Sequence, residues 1–188
     1  MTFLKSTVLV SVAVSLFGYF FISAETSDPV LLAKPKVAVL FSPKGGCTKT
    51  IVDAINGAKT SIRVQAYSFT AAPIYNALVE AKKRNVDVAV ILDRSALHTS
   101  TTAAQTLAKA GIQLLVDDKH AIAHNKIVII DEDTVLTGSF NYTAQAEKSN
   151  AENLVILHSL VPNYRLNWTN HAKHSVEYES YNELKKTK

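Results

Sequence analysis

The residues best suited to chemistry lie in the stretch HNKIVIID, which runs from His124 to Asp131. Alternate side chains of a strand face the same way, so His124 and Lys126 would share one face, roughly 7 Å apart. A neutral imidazole is a nucleophile near pH 7, and the ammonium beside it can bind an anionic substrate. Asp131 falls on the opposite face or in the turn that follows, so we expect it to play a supporting role.

A second polar group follows in the tetrapeptide GSFN, residues 138–141. The acidic segment 131–133 predicts a tight turn, so the apolar runs on either side of it should form an antiparallel hairpin. The return strand then brings Ser139 and Asn141 back beside His124. These two residues are two positions apart, so their side chains can face the same side of the strand. Both can therefore face the same place, and the glycine would let the backbone approach a ligand closely.

The pattern H-x-K-(x)4-D-(x)6-G-S-x-N is matched at every fixed position by His124, Lys126, Asp131, Gly138, Ser139 and Asn141. It resembles the motif of the phospholipase D superfamily. The segments AYSFT (66–70) and EN (152–153) also resemble the small secreted bacterial Nuc-type endonucleases, and the likeness extends from about residue 37 to the C-terminus. The resemblance implies a phosphodiesterase that needs no metal or other cofactor, in which His124 attacks phosphorus and forms a phosphohistidine that water cleaves.

The proposed chemistry needs partners for His124. Glu152, before the last predicted strand, could hold the other imidazole nitrogen and fix the tautomer. An imidazole that becomes phosphohistidine cannot also protonate the leaving oxygen, and the chain has one motif copy. We therefore expect a homodimer with a composite site, in which His124 of the partner subunit is the general acid and base.

Apolar runs of strand length alternate with helical patterns before the motif. The runs are VAVLFS (37–42), IRVQAYSF (62–69), VDVAVILD (86–93) and IQLLVD (112–117), and segments beginning near Thr48, Ala72 and Ala96 separate them. This alternation predicts an α/β fold with a mixed, largely parallel sheet flanked by helices. After the motif we expect a strand over 152–158 and one or two closing helices from about residue 162. Residues 37–188 should form a single catalytic domain.

The N-terminal segment 1–24 has the order of a secretory signal, with Lys5 ahead of an apolar run from about Val8 to Ile22 and small residues after it. The alternative is an uncleaved membrane anchor, because the run is long for a signal core. Residues 25–36 would be a linker. We expect a periplasmic or secreted protein, or one anchored to the membrane and facing away from the cytoplasm.

Charge and length bear on the substrate. The formal net charge is +4, which favours a polyanionic partner. A chain of 188 residues leaves no room for the large loops that would wall an acyl-chain pocket. We therefore expect a nonspecific endonuclease acting on DNA or RNA. Hydrolysis of phospholipid head groups is the alternative, with membrane contact only if the N-terminal segment is retained, and a non-catalytic DNA-binding module is a third possibility.

The loop KGGCTKT (44–50) resembles the phosphate-binding loop of partition ATPases, which makes an ATPase a distant alternative. However, Thr48 replaces the glycine before the lysine, where backbone must pack against phosphate. We expect an exposed loop and a helix start instead. Cys47 is the only cysteine, so neither an intrachain disulfide nor a cysteine-based metal site can form.

The histidines could suggest a metal site, because His120 and His124 are four residues apart and His171 and His174 three apart. In a strand, residues four apart are separated by roughly 13 Å, too far to chelate one ion. The pair His171-x-Lys173 is predicted to lie on a helix surface. The sequence therefore predicts no metal site.

Overall fold

Alternating strands and helices form the first half of the domain, as the sequence predicts. The computed structural model describes residues 37–186. The first elements are β1 (Val37–Ser42), α1 (Cys47–Gly57), β2 (Ser61–Ala66), α2 (Ala72–Lys83), β3 (Asp87–Asp93), α3 (Thr101–Lys109) and β4 (Gln113–Asp117). In α2 the buried residues Ile74, Leu78 and Ala81 recur at three and four residues, so one face of the helix packs on the sheet.

The second half begins with the hairpin. Its elements are β5 (Lys126–Ile130), β6 (Thr134–Gly138), α4 (Ala144–Lys148), β7 (Glu152–Leu157), α5 (Val161–His174), β8 (Val176–Glu177) and α6 (Tyr178–Lys186). β5 and β6 pair antiparallel, with Ile127 opposite Thr137, which agrees with the predicted turn at 131–133. The two-residue strand β8 was not predicted, because it is too short to show an alternating pattern.

One mixed sheet runs through the described domain in the order β1-β7-β6-β5-β2-β3-β4-β8. The α/β class and the mixed sheet flanked by helices are confirmed. Among the eight strands, only β2–β3 and β3–β4 pair in parallel, so the parallel part is smaller than the alternating pattern suggests. The reason is that β5 returns antiparallel against β2, and β1 joins β7 at the far edge.

Helices cover both faces of the sheet. The larger core includes Ile51 of α1, Leu78 of α2 and Leu107 of α3, which pack with Val64 and Val128 of the sheet. On the opposite face α5 covers a smaller apolar cluster that the hairpin strands provide, namely Ile127, Ile129 and Val135 with Val161. Central strands are thus buried on both faces, which fits their continuous apolar sequences.

The predicted signal or anchor (1–24) and linker (25–36) lie outside the described residues. Within residues 37–186 no helix is long and apolar enough to cross a membrane.

Candidate active site

The ends of four adjacent strands lie side by side at one end of the sheet, and this row of strand ends forms the active-site edge. Ala66, the last residue of β2, pairs with Lys126, the first residue of β5. Gly138, the last residue of β6, pairs with Leu154 near the start of β7. This edge therefore carries five of the predicted site residues, His124, Lys126, Ser139, Asn141 and Glu152.

The loop that carries His124 is fixed on both sides of the histidine. The backbone N–H of Ala123 donates to Asp93 Oδ2 at 2.6 Å, and Asn125 Nδ2 donates to Gln65 Oε1 at 2.9 Å. Asp93 and Gln65 are both buried, so they are rigid anchors. Neither residue was predicted as part of the site, because a buried polar residue within an apolar strand carries no signal of its partner.

Lys126 is directed at the loop by its surroundings. Its side chain is only 6% exposed, and its ammonium donates to the carbonyl oxygen of His124 at 2.7 Å. The ammonium also lies 5.2 Å from the centre of the Tyr67 ring. Burial lowers the pKa of Lys126 to about 8, although the negative charge of Glu152 opposes this shift. Lys126 is therefore a cation at neutral pH that titrates within reach of physiological conditions.

The imidazole of His124 is poised in its neutral form. The residue is exposed, and the Tyr67 ring contacts its ring edge-on with centroids 4.6 Å apart. Loss of solvent around the ring lowers the pKa of His124, and the charge of Lys126 lowers it further, whereas Asp93 acts in the opposite direction. A lowered pKa leaves a larger neutral, nucleophilic fraction at pH 7.

Ser139 and Asn141 offer unused hydrogen-bonding capacity. Ser139 Oγ accepts from the backbone N–H of Asn153 at 3.0 Å and from its Nδ2 at 3.4 Å, which leaves the hydroxyl proton free to donate. Asn141 follows Phe140 and precedes Tyr142 in the chain, and both of these aromatic side chains are buried. The buried Oδ1 of Asn141 has no hydrogen-bond partner in residues 37–186. The Nδ2 of the same amide is the atom that can donate to a phosphoryl oxygen, because Oδ1 only accepts.

Gly138 is required for a reason other than the one predicted. Its φ is +147°, and an added Cβ would lie 2.3 Å from the carbonyl oxygen of Asn153. The glycine lets β6 approach β7 closely, and this approach fixes where Ser139 emerges. No ligand contact is needed to explain it.

Glu152 does not make the predicted hydrogen bond. Its Oε1 accepts from Asn150 Nδ2 at 3.1 Å, and the described residues show no bond between Glu152 and His124. Glu152 begins β7, which is separated from β5 by β6. Its influence within one chain is electrostatic, because its charge raises the pKa of Lys126.

Asp131 lies at the opposite end of β5, about 16 Å along the strand from Lys126. Its Oδ1 accepts from the N–H groups of Thr60 at 2.8 Å and Ser61 at 2.9 Å, and its Oδ2 accepts from that of Lys59 at 3.0 Å. Burial alone would raise the pKa of Asp131, but these hydrogen bonds outweigh it and lower the pKa to about 2. Asp131 thus fastens the hairpin turn to the start of β2.

The loop at 44–50 starts α1, as expected. The N–H groups of Gly46 and Thr48 donate to the carboxylate of Glu147 at 3.0 and 2.7 Å. A carboxylate of the protein therefore occupies the position that a phosphate would take at this helix N-terminus. This arrangement disfavours the ATPase alternative. Cys47 is fully buried in the core.

A second polar cluster was not predicted. Asp117 at the end of β4 accepts hydrogen bonds from His171 Nδ1 at 2.8 Å and His174 Nε2 at 3.3 Å, both on α5, and from His120 Nδ1 at 2.9 Å. The prediction of a helix with Lys173 on its surface is confirmed, but the prediction that His171 is also on the surface is wrong, because its side chain is 14% exposed. The sequence predicted no metal site from His120 and His124, because residues four apart in a strand are too distant; in the structure the loop between β4 and β5 turns His120 toward α5 instead.

Comparisons with known proteins agree with the motif. Residues 51–175 match the family described as "Cardiolipin synthase, PLD-like domain". A Rickettsia conorii protein named phospholipase D is 44% identical over 141 residues, which cover 74% of this chain and 70% of that protein. The crystal structure of Nuc from Salmonella typhimurium, described as a phospholipase D family member, aligns with a TM-score of 0.74 and 41% identity over 77% of this chain and 99% of Nuc. NucT from Helicobacter pylori shares the fold, with a TM-score of 0.70, 19% identity and coverage of 77% of this chain and all of NucT.

Proposed function

Because the chain belongs to the phospholipase D superfamily of phosphodiester hydrolases, we propose that it is an endonuclease that cleaves DNA or RNA through a phosphohistidine on His124. The observation that carries the proposal is the imidazole of His124. It is exposed, its pKa is lowered, and Lys126 lies beside it. An open, neutral imidazole next to a buried cation suits attack on an anionic phosphodiester.

The reaction proceeds in two displacements at phosphorus. In the first, the neutral ring of His124 forms a bond to phosphorus as the bond to the leaving oxygen breaks, and His124 of the partner subunit supplies the proton that this oxygen takes. In the second, the partner's His124 removes a proton from water, whose oxygen then displaces the imidazole. Lys126, Ser139 and Asn141 donate to the phosphoryl oxygens as charge shifts in each transition state.

Nucleic acid is the substrate that the site and the charge favour. A hollow beside the active-site edge is lined by three asparagines, Asn125, Asn163 and Asn167, together with Ile127 and Tyr164. Amide side chains suit contacts to phosphate and sugar, and the formal net charge of +4 favours a polyanion. The name of the Rickettsia relative makes phospholipid the second candidate.

An exposed apolar strip supports the proposed homodimer. Val37, Val39 and Phe41 of β1 are large, exposed and on one face of the strand. They lie beside Val155 and Leu157 of β7, which are partly buried. Such a patch on a sheet face is typical of a protein–protein interface. A twofold interface here would be self-complementary, as a symmetric dimer requires.

The dimer is tested by mixing subunits. Wild-type and His124→Ala chains are co-refolded in varied ratios, and nuclease activity is measured. A heterodimer has one imidazole and should be nearly inactive, so total activity should follow the square of the wild-type fraction. A straight line would mean that each chain works alone and that another group supplies the acid.

The substrate and chemistry are tested together on the full chain. Plasmid DNA, RNA and phosphatidylcholine vesicles are each incubated with the protein in excess EDTA. We expect cleavage of nucleic acid to persist and His124→Ala to lower the rate by more than the roughly 10²–10⁴-fold that acid–base catalysis alone supplies. The control is His98→Ala, at an exposed histidine in the turn before α3.

Each other outcome selects an alternative. Hydrolysis of phosphatidylcholine alone would identify a phospholipase. DNA binding without cleavage would identify a binding module, and activity lost in EDTA and restored by Mg²⁺ would identify metal catalysis.

We further propose that the protein acts in the periplasm or outside the cell, on the basis of residues 1–24. N-terminal sequencing of protein from the periplasm and medium tests this, and an intact N-terminus in the membrane fraction would indicate an anchor.

A further inference from the structure

We propose that Asp117, His120, His171 and His174 bind one Zn²⁺ ion and that this ion ties the loop carrying His124 to α5. One candidate ligand atom from each residue lies within 4.8 Å of the other three. Two spacings produce the cluster, Asp117-x-x-His120 at the end of β4 and His171-x-x-His174 on α5. Residues three apart on a helix share a face, so both α5 imidazoles point at the same carboxylate.

The distances suit a tetrahedral ion. Asp117 Oδ2 is 2.8 Å from His171 Nδ1, 2.9 Å from His120 Nδ1 and 3.3 Å from His174 Nε2. In a tetrahedral zinc site with bonds of about 2.0–2.2 Å, the ligand atoms are separated by about 3.3–3.6 Å. Asp117 Oδ2 would therefore move away from the closer histidine nitrogens by about half an ångström, and ligand atoms that now lie up to 4.8 Å apart would draw together around the ion.

The side chains are also crowded in a way that a cation would explain. The imidazole ring centroids of His120, His171 and His174 lie 4.8 to 5.3 Å from one another. All three direct a nitrogen toward one oxygen of a fully buried carboxylate. A divalent ion bound by the carboxylate and by the three neutral imidazoles would contact all four groups at once.

The ligand set specifies the class of metal and its role. Three imidazoles and one carboxylate suit Zn²⁺ and not Mg²⁺ or Ca²⁺, which prefer oxygen ligands. Four protein ligands close the tetrahedron and leave no position for a substrate or a reactive water, as in structural zinc sites. The inferred site is thus separate from the chemistry at His124 and compatible with hydrolysis in EDTA.

The position of the cluster indicates what the ion would stabilise. Asp117 and His120 flank the start of the loop 118–125, and His171 lies 54 residues after Asp117. Asp117 pairs across the sheet with Asp93, which holds the N–H of Ala123. An ion shared by the loop and α5 would close a long segment of chain and reduce the freedom of the loop beside His124.

The test begins with metal content. The purified full chain is stripped with EDTA, dialysed, reloaded with Zn²⁺ and measured for bound metal by mass spectrometry and for affinity by calorimetry. We expect one equivalent per chain, and Co²⁺ in its place should give the visible absorption of a tetrahedral site. At about a hundredfold excess of free Zn²⁺ over Kd, the Tm should rise by about 5–10 °C.

Matched histidine variants separate the site from general metal binding. His120→Ala removes a ligand whose side chain is 47% exposed, so the variant should fold. It should bind Zn²⁺ at least tenfold more weakly and lose most of the Tm shift, as should His171→Ala. The control His98→Ala, outside the cluster, should match wild type. The zinc site would be overturned if the wild-type protein bound no stoichiometric Zn²⁺. It would also be overturned if the His120→Ala and His171→Ala variants bound Zn²⁺ as wild type does. In either case the four residues would form a hydrogen-bonded cluster without a metal.

The outcome is independent of the proposed nuclease activity. Zinc binding with a Tm shift in a protein that cleaves no nucleic acid would overturn the proposed function alone. Nuclease activity in a protein that fails these binding tests would overturn the zinc site alone.

Discussion

The aspartate of the motif should act on stability and not on the reaction, and Asp131→Asn tests this directly. Asp131 lies about 16 Å from Lys126, and its carboxylate accepts the backbone N–H groups of residues 59–61. Asparagine is the informative replacement because φ at this position is +49°, a conformation that asparagine tolerates and alanine does not. The change therefore removes the charge without straining the turn.

The pKa of Asp131 sets the magnitude. A shift from 3.8 to about 2 corresponds to roughly 2.4 kcal/mol at about 1.36 kcal/mol per unit, and solvent screening at this half-exposed turn reduces it to about 1–2 kcal/mol. Because the folded-state pKa is lowered, this stabilisation is fully present above pH 3.8 and is lost as the pH falls through about 2. For a domain of this size the loss corresponds to a fall in Tm of about 3–6 °C.

The assay combines urea denaturation and thermal melting with nuclease rates at a temperature where both proteins are folded. Wild type should exceed Asp131→Asn in unfolding free energy by a constant amount from pH 7 to about 4, with the difference shrinking below that. Asp133→Asn is the matched control, because this exposed carboxylate lies in the same turn and accepts from the hydroxyl of Thr134 but from no backbone N–H group of residues 37–186. A variant with unchanged stability and greatly reduced kcat would refute the reasoning and place Asp131 in the chemistry.

Three further predictions concern the reaction itself. The pH–rate profile should be bell-shaped, because the attacking His124 must be neutral while His124 of the partner subunit must be protonated. The lowered pKa of His124 places the acidic limb below 6.5, the ordinary pKa of histidine, and the alkaline limb should begin no later than about pH 8, where Lys126 loses its proton; an acidic limb above 6.5 would contradict this. Glu152→Gln should lower the pKa of Lys126, measured by NMR titration of its side chain, without weakening DNA binding, because the charge of Glu152 raises that pKa; an unchanged Lys126 titration would show that the charge is not felt there. Gln65→Met should lower kcat about tenfold, because it releases Asn125 beside His124, and KM and stability should be nearly unchanged, because the substitution also removes a buried Nε2 that has no partner in the described chain. An unaltered kcat would mean that the loop needs no such anchor.

The arrangement of the central site could be predicted from the sequence because it depends on neighbouring segments. A tight turn joins β5 to β6, and a period of two then assigns each side chain to a face. The expectation that His124 and Lys126 face the same side, and that Ser139 and Asn141 do so too, follows from that local geometry. The strand–helix alternation likewise predicted the parallel unit β2–β3–β4, since each crossover is short.

Only the tertiary structure decided which distant residues meet. The order of strands in the sheet placed Asp93 and Gln65 beside the loop of His124, kept Glu152 away from its ring, and brought Gly138 against β7. Packing of α5 on the sheet gathered its histidines with Asp117, at a sequence separation of more than fifty residues. Local sequence pattern carries no information about such contacts. They are set by how whole helices and strands bury their apolar faces against one another, because that packing determines which polar side chains come within hydrogen-bonding distance.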